Sequence, residues 1–383
     1  MPTRALDGVV VADFSRVLAG PYATMLLADL GATVIKVERP GTGDDTRAWG
    51  PPFAASGQST YFESVNRNKL SIALDLNDDA DVAIARRLAD SADVVIENFA
   101  PGTLRRFELD GQSVLRRNPR AVYCSITGFG SGAGAAMPGY DLLVQAMGGL
   151  MSITGQDEPT KAGVAVVDVL TGLHAAVGIL AALRHRDATG EGQVVEISLL
   201  SSLLSSMVNQ SGAFTGAGIV PGLLGNAHPS IAPYEVYQAR DQAMVLAVGN
   251  DGQFRSLAEV LGEPELATDA RFATNTARVA ERAALNERLT SLLSARDARD
   301  WQARLTEVGV PCGPINAMPE AFSLATSLGL PAEVEVARAS GPSAKVVANP
   351  LLLSTTPISY RAAPPELDSD RAQVLALLGM SSA

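Results

Sequence analysis

This 383-residue sequence predicts an α/β fold built on a largely parallel sheet, and three observations point to it. Short apolar runs alternate with helix-patterned segments over the first 130 residues. Glycine and proline punctuate the junctions between them. Near the middle, the apolar run 162–183 carries a single acidic residue, Asp168. Alternating strand and helix periods give βαβ units, whose parallel sheet is covered by helices and whose ligand chemistry collects at the carboxyl ends of the strands.

The elements follow in chain order. Residues 9–14, 33–38, 93–98 and 121–126 read as short buried strands rich in valine and isoleucine. Between them, 22–30 reads as a helix opened by Pro21 and closed by Gly31, and 78–90 as a second helix. Residues 162–167 predict a further buried strand, followed by a helix in which Leu170, Leu173, Val177 and Leu180 recur at helical spacing. A strand at 193–198 and a helix at 199–210 complete a first domain, 1–214. The glycine- and proline-rich stretch 215–233 reads as a connector. A small α+β domain, 234–328, then holds a hairpin (234–237 and 243–248) and helices at 252–261, 276–295 and 296–308, the last broken by Pro311-Cys-Gly-Pro314. The segment 329–383 has strand-like runs from 332 and a helix at 370–378.

Composition narrows the function classes. A formal net charge of −11 argues against a broad nucleic-acid surface and requires any anionic ligand to be held by a local cluster of cations. The two cysteines, Cys124 and Cys312, form no metal-binding or disulfide pattern, so neither a metal site nor a tightly bound cofactor is expected. The first residues lack an apolar secretory run, which suggests a reduced, cytoplasmic setting. Run 162–183 is long enough to span a bilayer, but Asp168 inside it would cost about 2.5–3.5 kcal/mol, so no membrane partner is expected.

Asp168 is the leading candidate for chemistry, because an unpaired carboxylate among apolar neighbours is costly to bury. At a strand-to-helix junction, free amides and the positive end of the helix would favour its ionised, nucleophilic form. The plain alternative is that it caps the helix.

Several segments, in order along nearly the whole chain, resemble the family III CoA-transferases. They are 6–25, 31–47, 66–75, Glu97-Asn-Phe-Ala-Pro-Gly102, 139–146, Val167-Asp-Val-Leu-Thr-Gly172 and 310–316. The resemblance implies a Rossmann-like large domain built from both chain ends, a smaller middle domain, and a homodimer of interlocked chains. It also implies that Asp168 attacks an acyl-CoA thioester to give an aspartyl anhydride and then an aspartyl-CoA thioester, with coenzyme A as substrate. By the same match Val17, Leu18, Arg39, Lys69, Leu74, Asn98, Phe99, Arg106 and Tyr140 would contact coenzyme A. Segments 41–53 and 225–234 look most like the branch that moves coenzyme A between small dicarboxylic acids, with succinyl-CoA as donor. Arg47, Arg67 or His228 would then hold the distal carboxylate. Gly249, Asn250 and Gly252 would form a lid that keeps water from the anhydride, or else an ordinary turn.

Three other functions compete. The α-methylacyl-CoA racemases of the same family carry histidine where this chain has Tyr140, and a phenol is a poor base at neutral pH. His174, His185 and His228 do not replace it in the pattern. A nicotinamide dehydrogenase is suggested by Gly130-Ser-Gly-Ala-Gly-Ala135, but Pro138-Gly139 interrupts the helix that such a loop should open. A coenzyme A binder without catalysis would have no need of Asp168.

Overall fold

A computed structural model describes residues 4–380. In chain order the elements are β1 (Val10–Asp13), α1 (Ala19–Asp29), β2 (Thr33–Glu38), α2 (Thr60–Ser64), β3 (Lys69–Ala73), α3 (Asp79–Ser91), β4 (Val94–Glu97), α4 (Gly111–Arg117), β5 (Val122–Thr127), α5 (Asp141–Met147), α6 (Leu150–Ile153), α7 (Val166–Thr189), β6 (Gln193–Ser198), α8 (Leu199–Ser206), α9 (Val208–Ala217), β7 (Tyr234–Gln238), β8 (Ala243–Ala247), α10 (Asp251–Leu261), α11 (Asn275–Ala280), α12 (Arg282–Leu293), α13 (Ala298–Glu307), β9 (Cys312–Pro314), α14 (Met318–Ser327), β10 (Glu333–Val336), β11 (Ala344–Val347) and α15 (Arg371–Leu377).

The chain divides into two units. The larger holds the residues up to Leu150, Ala162–Ile219 and those from Gly329 on; the smaller holds Met151–Lys161 and Val220–Leu328. The excursion at Met151–Lys161 was not foreseen, and the expected connector is partly helical, since α9 runs to Ala217.

The large unit is a six-stranded, all-parallel sheet in the order β3-β2-β1-β4-β5-β6. This is the order of a doubly wound dinucleotide-binding sheet, with its topological switch between β1 and β4. Apolar clusters fill both faces: Leu27, Val122, Val167 and Ile179 on one, Phe14, Ile72, Leu88 and Leu375 on the other. Strand β3 escaped the pattern reading because it begins on a lysine, which the fold buries by pairing. Helix α1 starts two residues before Pro21, which sits in the first turn, where the missing N–H costs nothing.

The strand expected at 162–167 does not form. Residues Ala162–Ala165 are irregular, and α7 begins at Val166, so Asp168 is the third residue of a 24-residue helix. Helix α7 is long and apolar enough to cross a membrane, yet Val167, Ala175, Ile179 and Ala182 are buried in the large unit's core. A Cβ on its Gly172 would lie 2.7 Å from the Ala19 carbonyl oxygen, so this glycine lets α7 pack directly on the start of α1.

The small unit is a three-stranded antiparallel sheet, β7-β8-β9, packed with helices around Phe254, Leu289 and Trp301. Its third strand is the segment that reads in the sequence only as a helix breaker. Within this unit, Arg278 is fully buried, donating to Asp251 Oδ1 at 2.7 Å and to the carbonyls of Ala232 and Phe272.

Candidate active site

The carboxyl ends of β1, β2 and β4 feed two adjoining cavities, both in the large unit. The first, about 390 Å³, is lined by Arg39, Leu74, Phe99 and Arg106 among others. The second, about 260 Å³, is lined by Val17, Leu18, Asn98, Tyr140 and Asp168. Arg16 and Phe99 line both and form their common wall.

Under this wall lies a dry cluster of charges. Lys36 Nζ donates to Asp44 Oδ2 at 2.9 Å and to the Ser15 carbonyl at 3.0 Å, with both side chains fully buried. Lys69 Nζ donates to Asp13 Oδ2 (3.2 Å), the Pro21 carbonyl (2.9 Å) and Asn66 Oδ1 (2.9 Å). Burial pushes the Asp44 carboxyl up, but Lys36 and the Thr46 donors outweigh it and bring it down to about 2. The same cluster fastens the turn after β1: Asp13 Oδ1 accepts from the Ser15 amide at 3.0 Å, and Asp44 Oδ2 from the Val17 amide at 3.2 Å. Val17 has φ 70°, a left-handed conformation that strains a β-branched residue and persists only where the surroundings enforce it.

Asp168 has the opposite surroundings. Among the described residues no donor reaches its carboxylate. The orphan amides at the start of α7 are taken by a second acid: Asp141 Oδ1 accepts from Val167 N at 2.8 Å and Asp168 N at 3.2 Å, and its Oδ2 from Gln145 Nε2 at 2.6 Å. The helix start therefore stabilises Asp141, which corrects the expectation that it would favour the ionised form of Asp168. Burial first, and the Asp141 charge second, push the Asp168 carboxyl up to about 7. Such a carboxylate is half ionised at neutral pH and more basic, hence more nucleophilic, than an exposed one.

Of the residues expected at coenzyme A, eight line the two cavities: Val17, Leu18, Arg39, Leu74, Asn98, Phe99, Arg106 and Tyr140. Asn98 clasps the backbone of Arg16, accepting from its amide at 2.8 Å and donating to its carbonyl at 2.7 Å. Arg39 pairs with Asp45 at the rim, Arg106 lies 4.4 Å over the Phe107 ring, and Tyr140 is 66% exposed. Lys69 is the exception: its three N–H donors are all committed inside the buried cluster, so it supports the cleft floor and lines neither cavity.

The cations expected at a distal carboxylate are placed elsewhere. Arg47 is forked onto Glu38 (2.7 and 2.8 Å), and Arg67 onto Asp29 (3.0 and 2.6 Å), so both guanidinium groups are spent on buried acids. His228 belongs to the small unit, where its Nδ1 accepts from Ser230 N at 3.1 Å and its ring meets Tyr234 edge-on. The Gly249–Gly252 stretch, read as a lid or an ordinary turn, forms the N-terminal cap of α10: Asn250 Oδ1 accepts from Gln253 N, and Gly249 N donates to Gln253 Oε1. His174 is exposed on α7 and does not line the Asp168 cavity.

Two residues near Asp168 were missed. Arg16 carried no motif to mark it. Tyr61 packs with Val17, Ala165 and Val169 around Leu18, and burial followed by the charges of Asp168, Asp141 and Asp44 pushes its phenol up to about 12. It therefore stays protonated and able to donate. No sequence pattern links Tyr61 to Asp168, because α2 and α7 meet only through the tertiary fold.

Comparison with known proteins agrees with this geometry. The model of a family described as CoA-transferase family III matches residues 6–371. A succinate–glutarate CoA-transferase of Agrobacterium fabrum is 44% identical over 99% of this chain and 97% of its own length. An acetyl-CoA:oxalate CoA-transferase of Acetobacter aceti is 41% identical over 84% of each chain. The crystal structure of a CaiB/BaiF family protein from Brucella suis superimposes with a TM-score of 0.88 at 41% identity, covering 99% of this chain and 100% of the other.

Proposed function

We propose that this chain, which belongs to CoA-transferase family III, moves coenzyme A from succinyl-CoA to a small dicarboxylic acid through covalent intermediates on Asp168. The transferase activity follows from the family. The choice of acids is supported by the relatives, whose names pair succinate with glutarate and acetyl-CoA with oxalate. The covalent route is supported above all by one observation: Asp168 lines the inner cavity with its carboxylate unpaired and its pKa near 7.

An Asp168 carboxylate oxygen attacks the thioester carbonyl carbon, the C–S bond breaks, and coenzyme A leaves as thiolate, giving a mixed anhydride. The thiolate then attacks the Asp168 carbonyl, releasing succinate and leaving an aspartyl-CoA thioester. The acceptor carboxylate attacks that thioester, and the freed thiolate takes the acceptor's acyl group, regenerating Asp168. Developing negative charge on the carbonyl oxygen calls for a donor; Tyr140, which lines the Asp168 cavity, and Tyr61, whose phenol stays protonated, are the candidates. Racemisation is not favoured, because the family's racemases carry a histidine where this chain has Tyr140 and the relatives are transferases.

We also place the reaction in a cytoplasmic homodimer of interlocked chains. Support comes from apolar side chains that the large unit leaves exposed, among them Leu173 and Val177 of α7 and Phe214 of α9. Sedimentation at twice the chain mass is the expected result.

Trapping tests the mechanism. Incubation with succinyl-CoA and hydroxylamine should convert Asp168 to its hydroxamate in the wild type and leave Asp168→Asn unmodified while coenzyme A still binds. Normal turnover by the Asn variant would remove Asp168 from the nucleophile's role.

A further inference from the structure

We propose that Arg16 holds the diphosphate of the acyl-CoA at the wall between the two cavities. The inference takes from the proposed function only that coenzyme A is the ligand. In a doubly wound sheet, the diphosphate of a nucleotide sits where β1 turns into α1, and glycines in that turn let the backbone amides approach it. Here the turn is Phe14-Ser15-Arg16-Val17-Leu18 and contains no glycine. The polar donor that the turn presents to the cleft is instead a guanidinium.

Four observations support this. Among the described residues, Arg16 is the one cation that lines both cavities and is not held by a carboxylate at hydrogen-bond distance: Asp45 lies 3.7 Å from its Nη1. Its Nε is buried without a hydrogen-bond partner. The guanidinium lies 4.9 Å from the centroid of the Phe99 ring, a cation–π contact that occupies none of its N–H donors with a carboxylate and leaves them for a phosphate fork. The turn is also built to aim it. Asn98 grips the Arg16 backbone on both sides, and Lys36 and Asp44 fix Ser15 and the strained Val17. No side chain caps the start of α1 just beyond, and Gly20 is the residue that lets this start lie against the turn, since a Cβ there would sit 2.3 Å from Ser15 Cβ. An anion at Arg16 would thus also face the positive end of α1. The diphosphate is the anionic group that lies between nucleoside and pantetheine, as Arg16 lies between the wider cavity and the one that holds Asp168.

Calorimetric titration of the full chain tests the assignment. Arg16→Met should weaken coenzyme A and dephospho-CoA alike, by about 10- to 100-fold for a lost charge-assisted contact. Arg16→Lys should recover part of the loss. Turnover of S-succinylpantetheine, which lacks the diphosphate, should fall at least tenfold less than turnover of succinyl-CoA in both variants. A loss with coenzyme A but not dephospho-CoA would move Arg16 to the 3′-phosphate, and an equal loss with the truncated donor would make its role structural; either overturns the proposal. A raised KM for glutarate with coenzyme A affinity intact would overturn it in favour of the acceptor acid. Wild-type protein that binds both nucleotides without transferring coenzyme A would defeat the proposed function but not this assignment.

Discussion

Asp44, buried, and Asp168, partly buried at a cavity, are carboxylates of the same large unit, and they end up about five pH units apart, near 2 and near 7. Burial alone raises both. At Asp44, a lysine nitrogen at 2.9 Å and the Thr46 amide and hydroxyl reverse the effect; at Asp168 nothing does, and a second acid adds to it. The difference separates two jobs that a buried charge can do. A paired charge fixes geometry and is chemically silent, whereas an unpaired one costs stability and stays reactive. In this molecule the silent group fastens the turn that borders the reactive one.

Changing either partner should break the contrast in a defined order. The largest effect is expected at Asp168→Asn, which keeps shape and removes the attacking oxygen, with transfer falling by roughly 10⁴-fold or more in a succinyl-CoA assay. Lys36→Met turns Asp44 into a second unpaired buried acid and should cost about 3–5 kcal/mol in urea denaturation. If unfolding is unchanged, the pair does not fix the turn. Next, Asp168→Asn should itself stabilise the fold. The folded state holds the Asp168 proton up to about pH 7, but the unfolded chain releases it near 3.8, as a free aspartate does. The stability contributed by the neutral acid is therefore complete below pH 3.8 and declines as the pH rises to about 7. At pH 8 the Asn variant should be more stable by about 2–4 kcal/mol, a gain that disappears by pH 4. The smallest effect is expected at Asp141→Asn. Removing the neighbouring charge while leaving an acceptor for the α7 amides should move the acidic limb of the transfer rate down by roughly one pH unit. An unmoved limb would assign the raised value to burial alone.

Much of the scaffold could be read from residue patterns, because strands β1, β2, β4 and β5 are buried on both faces and their valine and isoleucine runs follow from that. Asp168, the proposed nucleophile, stands out in the sequence too, as the one acid in an apolar run. What could not be read is which charges the fold consumes. Arg47 and Arg67 look like free cations in the sequence, but their acids, Glu38 and Asp29, reach them only across the folded unit. Lys69 looks like a ligand contact until its acceptors, spread from Asp13 to Asn66, are brought round it. Arg16 shows the converse: no carboxylate holds it at hydrogen-bond distance, Asp45 lying 3.7 Å away, and no motif encodes that. The strand expected before Asp168 failed because its apolar run is the approach to a helix, and a short run of valines and alanines fits either.

The edge of the large sheet is sealed by residues far along the chain. On β3 and just before it, the Asn68 amide donates to the Ala362 carbonyl, Ser71 N to Asp370 and Ala73 N to Asp368. During synthesis, that edge must wait, unsealed, while the whole small unit is made, offering open amides to any passing strand. A nonsense change that removes only the last two dozen residues would thus spare every cavity-lining group and still yield a protein prone to sticking to itself.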